Sequence, residues 1–344
     1  MRAFEGYQRG VNLGGWLSQC VAMDDKHFST FITEADIERI ASWGLDHVRL
    51  PIDCDIVFSG MDAAPHARMR CVDDCVAWCE KHGLRLILDL HKTYGFMFDT
   101  SVAPDPTLFF RDIELQDTFV RLWEALARRY GALPERVAFE LLNEVTDPSV
   151  AKRWNRIAER AIRAIRAIAP DTWILVGGVN HNSVTRVPLL DPPLDSRIVY
   201  NFHCYEPIVF THQKAPWVRG MTPDFELAYP DTIGAYAEAA SRLGFRKAEG
   251  AALNDPRLLG TEDFERLFRE ALSYAERQGA PLYCGEYGVI DRADPKSIVN
   301  WFRDIHSVFE KYHIGRAVWT YKQRDFGLID PHYDGVLNEL ISLL

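Results

Sequence analysis

The sequence predicts one (β/α)8 TIM barrel spanning residues 1–344, with a small, partly helical insertion at 207–260 after the sixth strand. Three observations carry that prediction. A short apolar run followed by a longer stretch of helical period recurs along the chain, and eight such runs are found. The runs are dense in β-branched and aromatic residues, as strands buried on both faces of a parallel sheet must be. No Gly/Ser- or Pro-rich linker divides the 344 residues, whose excess over a barrel of ~250 residues is largely one insertion.

The predicted strands are 10–15, 47–51, 85–91, 137–144, 172–179, 197–205, 281–288 and 316–322. Between the first two, Thr33 caps a helix in which Ile37, Ile40 and Ala41 share one face, and Gly44 stops it. A helix over 67–82 leads into the third strand, and one over 115–130 leads into the fourth. Asp147-Pro148 reads as an N-cap followed by the first helical residue. Beyond it Val150, Trp154, Ile157, Ala158, Ala161, Ile162 and Ile165 trace one apolar stripe. Helices over 262–278 and 295–312 and a short one near the C-terminus complete the set. Alternating strands and helices imply a parallel sheet, and eight repeats favour closure over an open sheet. No G-x-G-x-x-G follows the first run, which argues against a dinucleotide-binding fold.

The stretch 207–260 breaks the rhythm, since βα loops usually run about 2–6 residues. It carries Trp217, Phe225, Tyr229, Tyr236 and Phe245, enough apolar material to pack on its own. As a βα loop it belongs at the C-terminal mouth of a barrel, where it would act as a lid, the other reading being a structural elaboration such as a dimer contact.

Composition excludes several classes of partner. Acidic residues outnumber basic ones by 49 to 39, a net charge of −10, so a general nucleic-acid binder is disfavoured. No apolar run approaches the ~18 residues of a membrane span. Seven cysteines cannot all pair internally, which suits reduced thiols, and residues 1–8 have no signal-peptide pattern. A cytoplasmic location is therefore expected, with secretion the alternative if a leader has been removed. Cys71, Cys75 and Cys79 follow helical spacing and are expected as small buried side chains, because C-x3-C is not a usual zinc pattern. Period two points Cys204 toward the helices and Cys284 into the barrel below Glu286. The oligomeric state is left open.

Polar residues gather where the runs end. Arg49 ends the second run and His91 the third; Asn143 and Glu144 end the fourth, His203 and Tyr205 the sixth, and Glu286 the seventh, while Trp319 lies in the eighth. In a parallel barrel these positions share the rim that carries catalysis. Glu144 and Glu286 stand out, because two carboxylates across a site are what hydrolysis of a glycosidic bond needs. One must be protonated for the leaving oxygen, and the other ionised to attack or to activate water. Their environments are expected to push their pKa values apart. Arg49, always charged, could hold Glu286 ionised; Asn143 could donate to a sugar hydroxyl; Trp319 offers a face for a pyranose ring. The set His91, His203, Glu144 and Glu286 would also suit a divalent metal. No H-E-x-x-H or H-x-H motif accompanies it, so no metal or other cofactor is expected. His47, Asp89 and Glu140 should point inward below the rim as a buried ion network.

These residues lie in stretches that, taken in order, resemble glycoside hydrolase family 5 of clan A. The stretches are Gly10-Val11-Asn12-Leu13-Gly14-Gly15-Trp16, His47-Val48-Arg49-Leu50-Pro51, Asp89-Leu90-His91 and Phe139-Glu140-Leu141-Leu142-Asn143-Glu144. They continue as Tyr200-Asn201-Phe202-His203-Cys204-Tyr205-Glu206-Pro207, Cys284-Gly285-Glu286-Tyr287-Gly288 and Ala317-Val318-Trp319. Within the family, Phe210-Thr211-His212-Gln213-Lys214-Ala215-Pro216-Trp217 is most similar to clostridial endoglucanases of the CelC type. Those enzymes carry a second His and then Ala-Pro-Gly where this chain has Lys92-Thr93-Tyr94-Gly95. The resemblance implies a retaining hydrolase with Glu144 as acid/base and Glu286 as nucleophile. It further implies that Arg49 orients the nucleophile, Tyr205 hydrogen-bonds it and His203 sits near the acid/base. His91 and Asn143 would bind the sugar at the cleavage subsite, with Trp319 as its floor. The implied partner is a β-linked oligo- or polysaccharide, with endo-β-1,4-glucanase activity foremost. β-1,3- or mixed-linkage glucanase, exo-β-glucosidase and β-mannanase activities stay open, as does a carbohydrate-binding pseudoenzyme.

Overall fold

A computed structural model describes residues 1–101, 105–245 and 253–344. Among them eight parallel strands close into a barrel: β1 (Arg9–Asn12), β2 (His47–Asp53), β3 (Arg85–Thr93), β4 (Val137–Glu140), β5 (Ile174–Gly177), β6 (Ile198–Cys204), β7 (Leu282–Tyr287) and β8 (Gly315–Val318). Each strand pairs with the next in sequence, and β8 pairs with β1 to complete the circle. A two-residue antiparallel return, Phe96–Met97, folds back on the end of β3.

The helices fall where apolar periodicity places them. α1 (Glu34–Ser42) begins where Asp36 accepts hydrogen bonds from the Thr33 backbone N–H at 2.8 Å and hydroxyl at 2.9 Å. α2 (Met69–Lys81), α3 (Ile113–Tyr130) and α4 (Ala151–Arg166) follow β2, β3 and β4. Asp147 caps a single 3-10 turn, Pro148–Val150, that runs into α4. The whole predicted stripe of α4, from Trp154 to Ile165, is buried. After β5 the crossover is a 3-10 segment, Val184–Leu189, in place of a long helix. α5 (Ile233–Arg242) lies in the insertion, and α6 (Thr261–Gln278), α7 (Pro295–Tyr312) and α8 (Leu337–Leu343) finish the chain. Among the described residues no helix is long and apolar enough to cross a membrane.

Two separate apolar clusters follow from strand alternation. The larger fills the space between barrel and helices. The smaller includes Ile87, Leu175, Val199, Tyr283 and Ala317 and plugs the lower barrel, with Phe4 and Tyr7 of the N-terminal segment beneath it. Three helical tryptophans anchor the chain at or just beyond the strand ends. The indole N–H of Trp123 (α3) donates to the Leu141 carbonyl at 3.0 Å, Trp154 (α4) to Gly177 at 2.8 Å and Trp301 (α7) to Glu206 at 3.0 Å. Carbonyls at or just past the strand ends are thereby satisfied inside the protein, which holds the C-terminal rim of the barrel in place.

Three local expectations are corrected. β4 ends at Glu140, and residues 141–144 continue as irregular chain with Glu144 at a left-handed φ of 41°. His47 does not join Asp89 and Glu140. It lies one interior layer lower, with Nδ1 2.6 Å from Asp46 Oδ1 and Nε2 2.7 Å from the Tyr283 hydroxyl. Cys284 faces the helices instead of the barrel interior. A bulge at Gly285 shifts the register between Phe202↔Cys284 and His203↔Glu286, so Tyr283 and Glu286 both point inward and Cys284 is left outside. Cys75 and Cys79 are buried and Cys71 half-buried; all seven cysteines are unpaired.

In the insertion, the described residues of 207–260 form the one-turn helix Ile208–Thr211, α5 and a bridge between Thr232 and Leu258. Residues 246–252 of the predicted insertion lie outside the described part. Its first segment stays against the barrel mouth, with the His212 ring 5.0 Å from that of Tyr205 and 5.3 Å from Phe326.

Candidate active site

The site is organised by one guanidinium. Arg49, fully buried on β2, makes a bidentate pair with Glu140 (Nε to Oε2 2.7 Å, Nη2 to Oε1 2.8 Å). Its Nη1 donates to Glu286 Oε1 at 2.8 Å and Asn12 Oδ1 at 2.9 Å, and its Nη2 to Asn143 Oδ1 at 2.9 Å. Asp89 Oδ2 stands 3.0 Å from the same Nη2. Three buried carboxylates around one cation leave negative charge uncompensated. Burial accordingly pushes Asp89 up to about 6, with Arg49 pulling it back, and raises Glu140 as well. The planar fork of Arg matches this set of acceptors, and a lysine could not.

Residues with no role in the sequence reading complete the frame. Asn12 donates its side-chain N–H group to the carbonyls of Gly285, Ala317 and Val318 at 2.9, 3.1 and 3.2 Å, tying β1 to β7 and β8. Asn201 donates to Glu140 Oε1 at 2.8 Å and accepts from the Gly285 N–H at 2.9 Å. Both were legible as polar residues on inward positions of apolar strands, where a partner is obligatory.

Above this frame stand the two predicted carboxylates. Glu286 receives Arg49 on one oxygen and the Tyr205 hydroxyl, at 3.0 Å, on the other. Glu144 receives His203 Nδ1 on Oε1 at 2.8 Å and lies 3.3 Å from His181 Nδ1 through Oε2. His203 also comes within 3.7 Å of Glu286 Oε2. Burial pushes the Glu144 carboxyl up, but the hydrogen bonds from His181 and His203 more than reverse this and hold it well below the usual carboxylate range. The expected protonated acid is thus an ionised carboxylate in the free protein. Its imidazole partners were recognised only in part, because His181 lies in the loop after β5, beyond the predicted run 172–179.

His91 places Nδ1 2.6 Å from Asp89 Oδ2, and burial lowers it to about 4, so its ring is neutral at ordinary pH. Its Nε2 is 3.3 Å from the Gln19 side-chain nitrogen. Its ring stacks parallel to Trp319 at 5.9 Å, and Phe98 meets it edge-on at 5.2 Å. Asn143 has its carbonyl oxygen held by Arg49, which leaves its NH2 group as the donor available to a sugar. All eight predicted residues thus meet at one rim.

Gly14 makes room for Trp319. A Cβ there would fall 2.7 Å from the Trp319 Cη2 atom. Gly14→Ala is expected to cost about 1–3 kcal/mol by overpacking. The cost should shrink in a Trp319→Ala background, read as the urea midpoint across a double-mutant cycle.

Among the described residues the one cluster of three metal-ligating types is Glu144, His203 and Glu286, with one candidate ligand atom from each within 4.8 Å of the others. These atoms are the ones a sugar hydrolase needs at the scissile bond. Their closeness lies on the side of the ~5–5.5 Å carboxyl spacing of retaining enzymes, and short of the ~6.5–9.5 Å of inverting ones.

The chain is similar to several known proteins. Cellodextrinase A of Ruminococcus flavefaciens is 42% identical over 311 residues, covering 90% of this chain and 84% of that protein. Endoglucanase C of Acetivibrio thermocellus is 38% identical over 344 residues, 98% of each. The endoglucanase Cel5A of Thermotoga maritima shares the fold with a TM-score of 0.76 at 23% identity, over 98% of this chain and 97% of that one. Residues 7–325 match the cellulase family, glycosyl hydrolase family 5, and with an Arg-centred barrel mouth carrying two carboxylates the chain belongs to that family of glycoside hydrolases.

Proposed function

We propose that the protein is a retaining endo-β-1,4-glucanase acting on cellulose-type glucans and cello-oligosaccharides. The observation that carries this reading is the contrasting wiring of two close carboxylates. Glu286 has a hydrogen-bond donor on each oxygen, as a nucleophile held ionised requires. Glu144 is bonded to imidazoles that can exchange a proton with it. In the first step Glu286 attacks the anomeric carbon while Glu144 protonates the departing oxygen. In the second, water attacks the same carbon, gives its proton to Glu144 and releases Glu286. Trp319 and His91 support the sugar ring, and Asn143 donates to one of its hydroxyls. The linkage is supported by relatives named as a cellodextrinase and an endoglucanase.

Proton NMR of cellotetraose hydrolysis is expected to show the β-anomer as first product, with turnover unchanged by EDTA. An α-anomer first would overturn the mechanism, and faster hydrolysis of mannan or laminarin than of β-1,4-glucan would overturn the linkage.

The insertion extends the cleft as a lid or wall. Trp217, 53% exposed, meets His212 at 6.4 Å beneath the guanidinium of Arg292 at 5.9 Å. A half-exposed indole beside a sugar site is a stacking surface. Trp217→Ala is expected to raise KM for cellopentaose about 2–10-fold, and to raise it less for an aryl β-cellobioside. Equal changes for both substrates would count against the lid.

A further inference from the structure

His181 approaches the acid/base from outside the predicted site, and two features hold it there. The loop after β5 is stapled to the loop after β4 by a parallel bridge between Val145 and Val179 and by the His181 N–H donating to the Val145 carbonyl at 3.1 Å. Asn180, His181 and Asn182 are consecutively left-handed, with φ of 58°, 56° and 52°, as is Glu144 at 41°. Such backbone is held only where its surroundings over-determine it. The result sets His181 Nδ1 3.3 Å from Glu144 Oε2.

The two imidazoles on Glu144 differ. His203 is 1% exposed and engaged at both nitrogens, by Glu144 at 2.8 Å and by the Asn182 amide at 3.4 Å. His181 is 53% exposed and can exchange protons with solvent. We propose that His181 is a positioning residue that shares with Glu144 the proton the acid/base donates, and so sets the upper pH limit of turnover on unactivated saccharides.

The proposal rests on Glu144 being the acid/base. A cycle starts only from enzyme carrying that proton. It passes to the leaving oxygen as the C1–O bond breaks and Glu286 bonds to C1, and a proton returns from water as the ester is hydrolysed. In the free protein the carboxyl is ionised, so the proton rests on an imidazole. Transfer from Nδ1 to Oε2 turns an ion pair into a neutral pair, which a sugar excluding water favours. The hydrogen bond to Glu144 raises His181 above its ordinary value, keeping the pair loaded to higher pH, while burial and the like charge of His203 oppose this. Glu286 and Asp89 face the pair from the Arg49 side, each paired to its guanidinium; Asp89, pushed up to about 6 by burial, completes its titration below the alkaline limb, and the Tyr205 hydroxyl is pushed up and keeps its proton. His91 and His212 are lowered to about 4 by burial and stay neutral.

The test compares His181→Gln and His181→Phe with the native enzyme. The profile of kcat/KM against pH is measured for cellotetraose and for 2,4-dinitrophenyl β-cellobioside, whose leaving group departs without an acid. The alkaline limb for cellotetraose is expected to move toward acid by about one pH unit or more in both variants, while that for the dinitrophenyl substrate stays. An unmoved limb with only KM altered would overturn the proposal, as would equal movement for both substrates, which marks a general disturbance. Glu144→Ala is assayed alongside. If it keeps its rate on cellotetraose, the acid/base assignment itself fails. If it loses that rate while the His181 profiles stay native, only the proposal made here fails.

Discussion

Glu286→Ala is expected to lower kcat on cellotetraose by about 10⁴-fold or more, because no other group in the site can form the bond to C1. The local structure should survive, since the lost carboxylate leaves Arg49 with Glu140, Asp89, Asn12 and Asn143. Azide separates the roles of the two carboxylates. In Glu286→Ala it can enter the space left by the nucleophile and give the α-glycosyl azide. In Glu144→Ala it attacks the glycosyl-enzyme and gives the β-glycosyl azide. An activated aryl cellobioside should be spared in its first step by Glu144→Ala, because its leaving group needs no proton. Rescue with the opposite stereochemistry in each variant would interchange the assigned roles.

Arg49→Ala is expected to have the largest effect on stability. Removing one partner of a buried ion pair costs about 3–5 kcal/mol, and here three carboxylates lose the same partner. Against a total of about 5–15 kcal/mol, the variant should be partly unfolded at neutral pH, measured by urea titration. The pH dependence has a definite sign. Burial already raises Asp89 to about 6 and raises Glu140 with the cation in place; without it the folded-state values rise further. A carboxyl whose folded pKa exceeds its unfolded value favours the folded state at low pH and loses that contribution as pH rises through the folded value. The deficit of Arg49→Ala should therefore be largest above about pH 6 and narrow toward pH 4. Arg49→Lys should fall between, since one ammonium keeps the charge but cannot reach six acceptor atoms in a plane. A deficit independent of pH would mean that packing, not charge, is what Arg49 supplies.

Much of this site was legible because a parallel barrel converts sequence position into spatial position. Arg49, His91, His203 and Glu286 lie near the C-terminal ends of apolar runs, and strand alternation alone brings them to one mouth. Alternation also found Asp89 and Glu140 as interior charges, and it failed where the period was broken. The bulge at Gly285 reversed Cys284, and a layer of the barrel separated His47 from the network it was expected to join. His181 was invisible for a different reason. Its contact depends on three consecutive left-handed residues and a bridge between two loops, and no periodicity encodes either.

By itself the sequence determined the barrel, the strand ends that carry chemistry and the two carboxylates, because burial and alternation are local rules repeated eight times. Only the tertiary structure decided how those groups are charged. Arg49 serves Glu286, Glu140 and Asp89 at once, and Glu144 is held ionised between two imidazoles. Charge state depends on distances of a few ångströms among residues up to 237 positions apart, and those distances exist only once the barrel has closed.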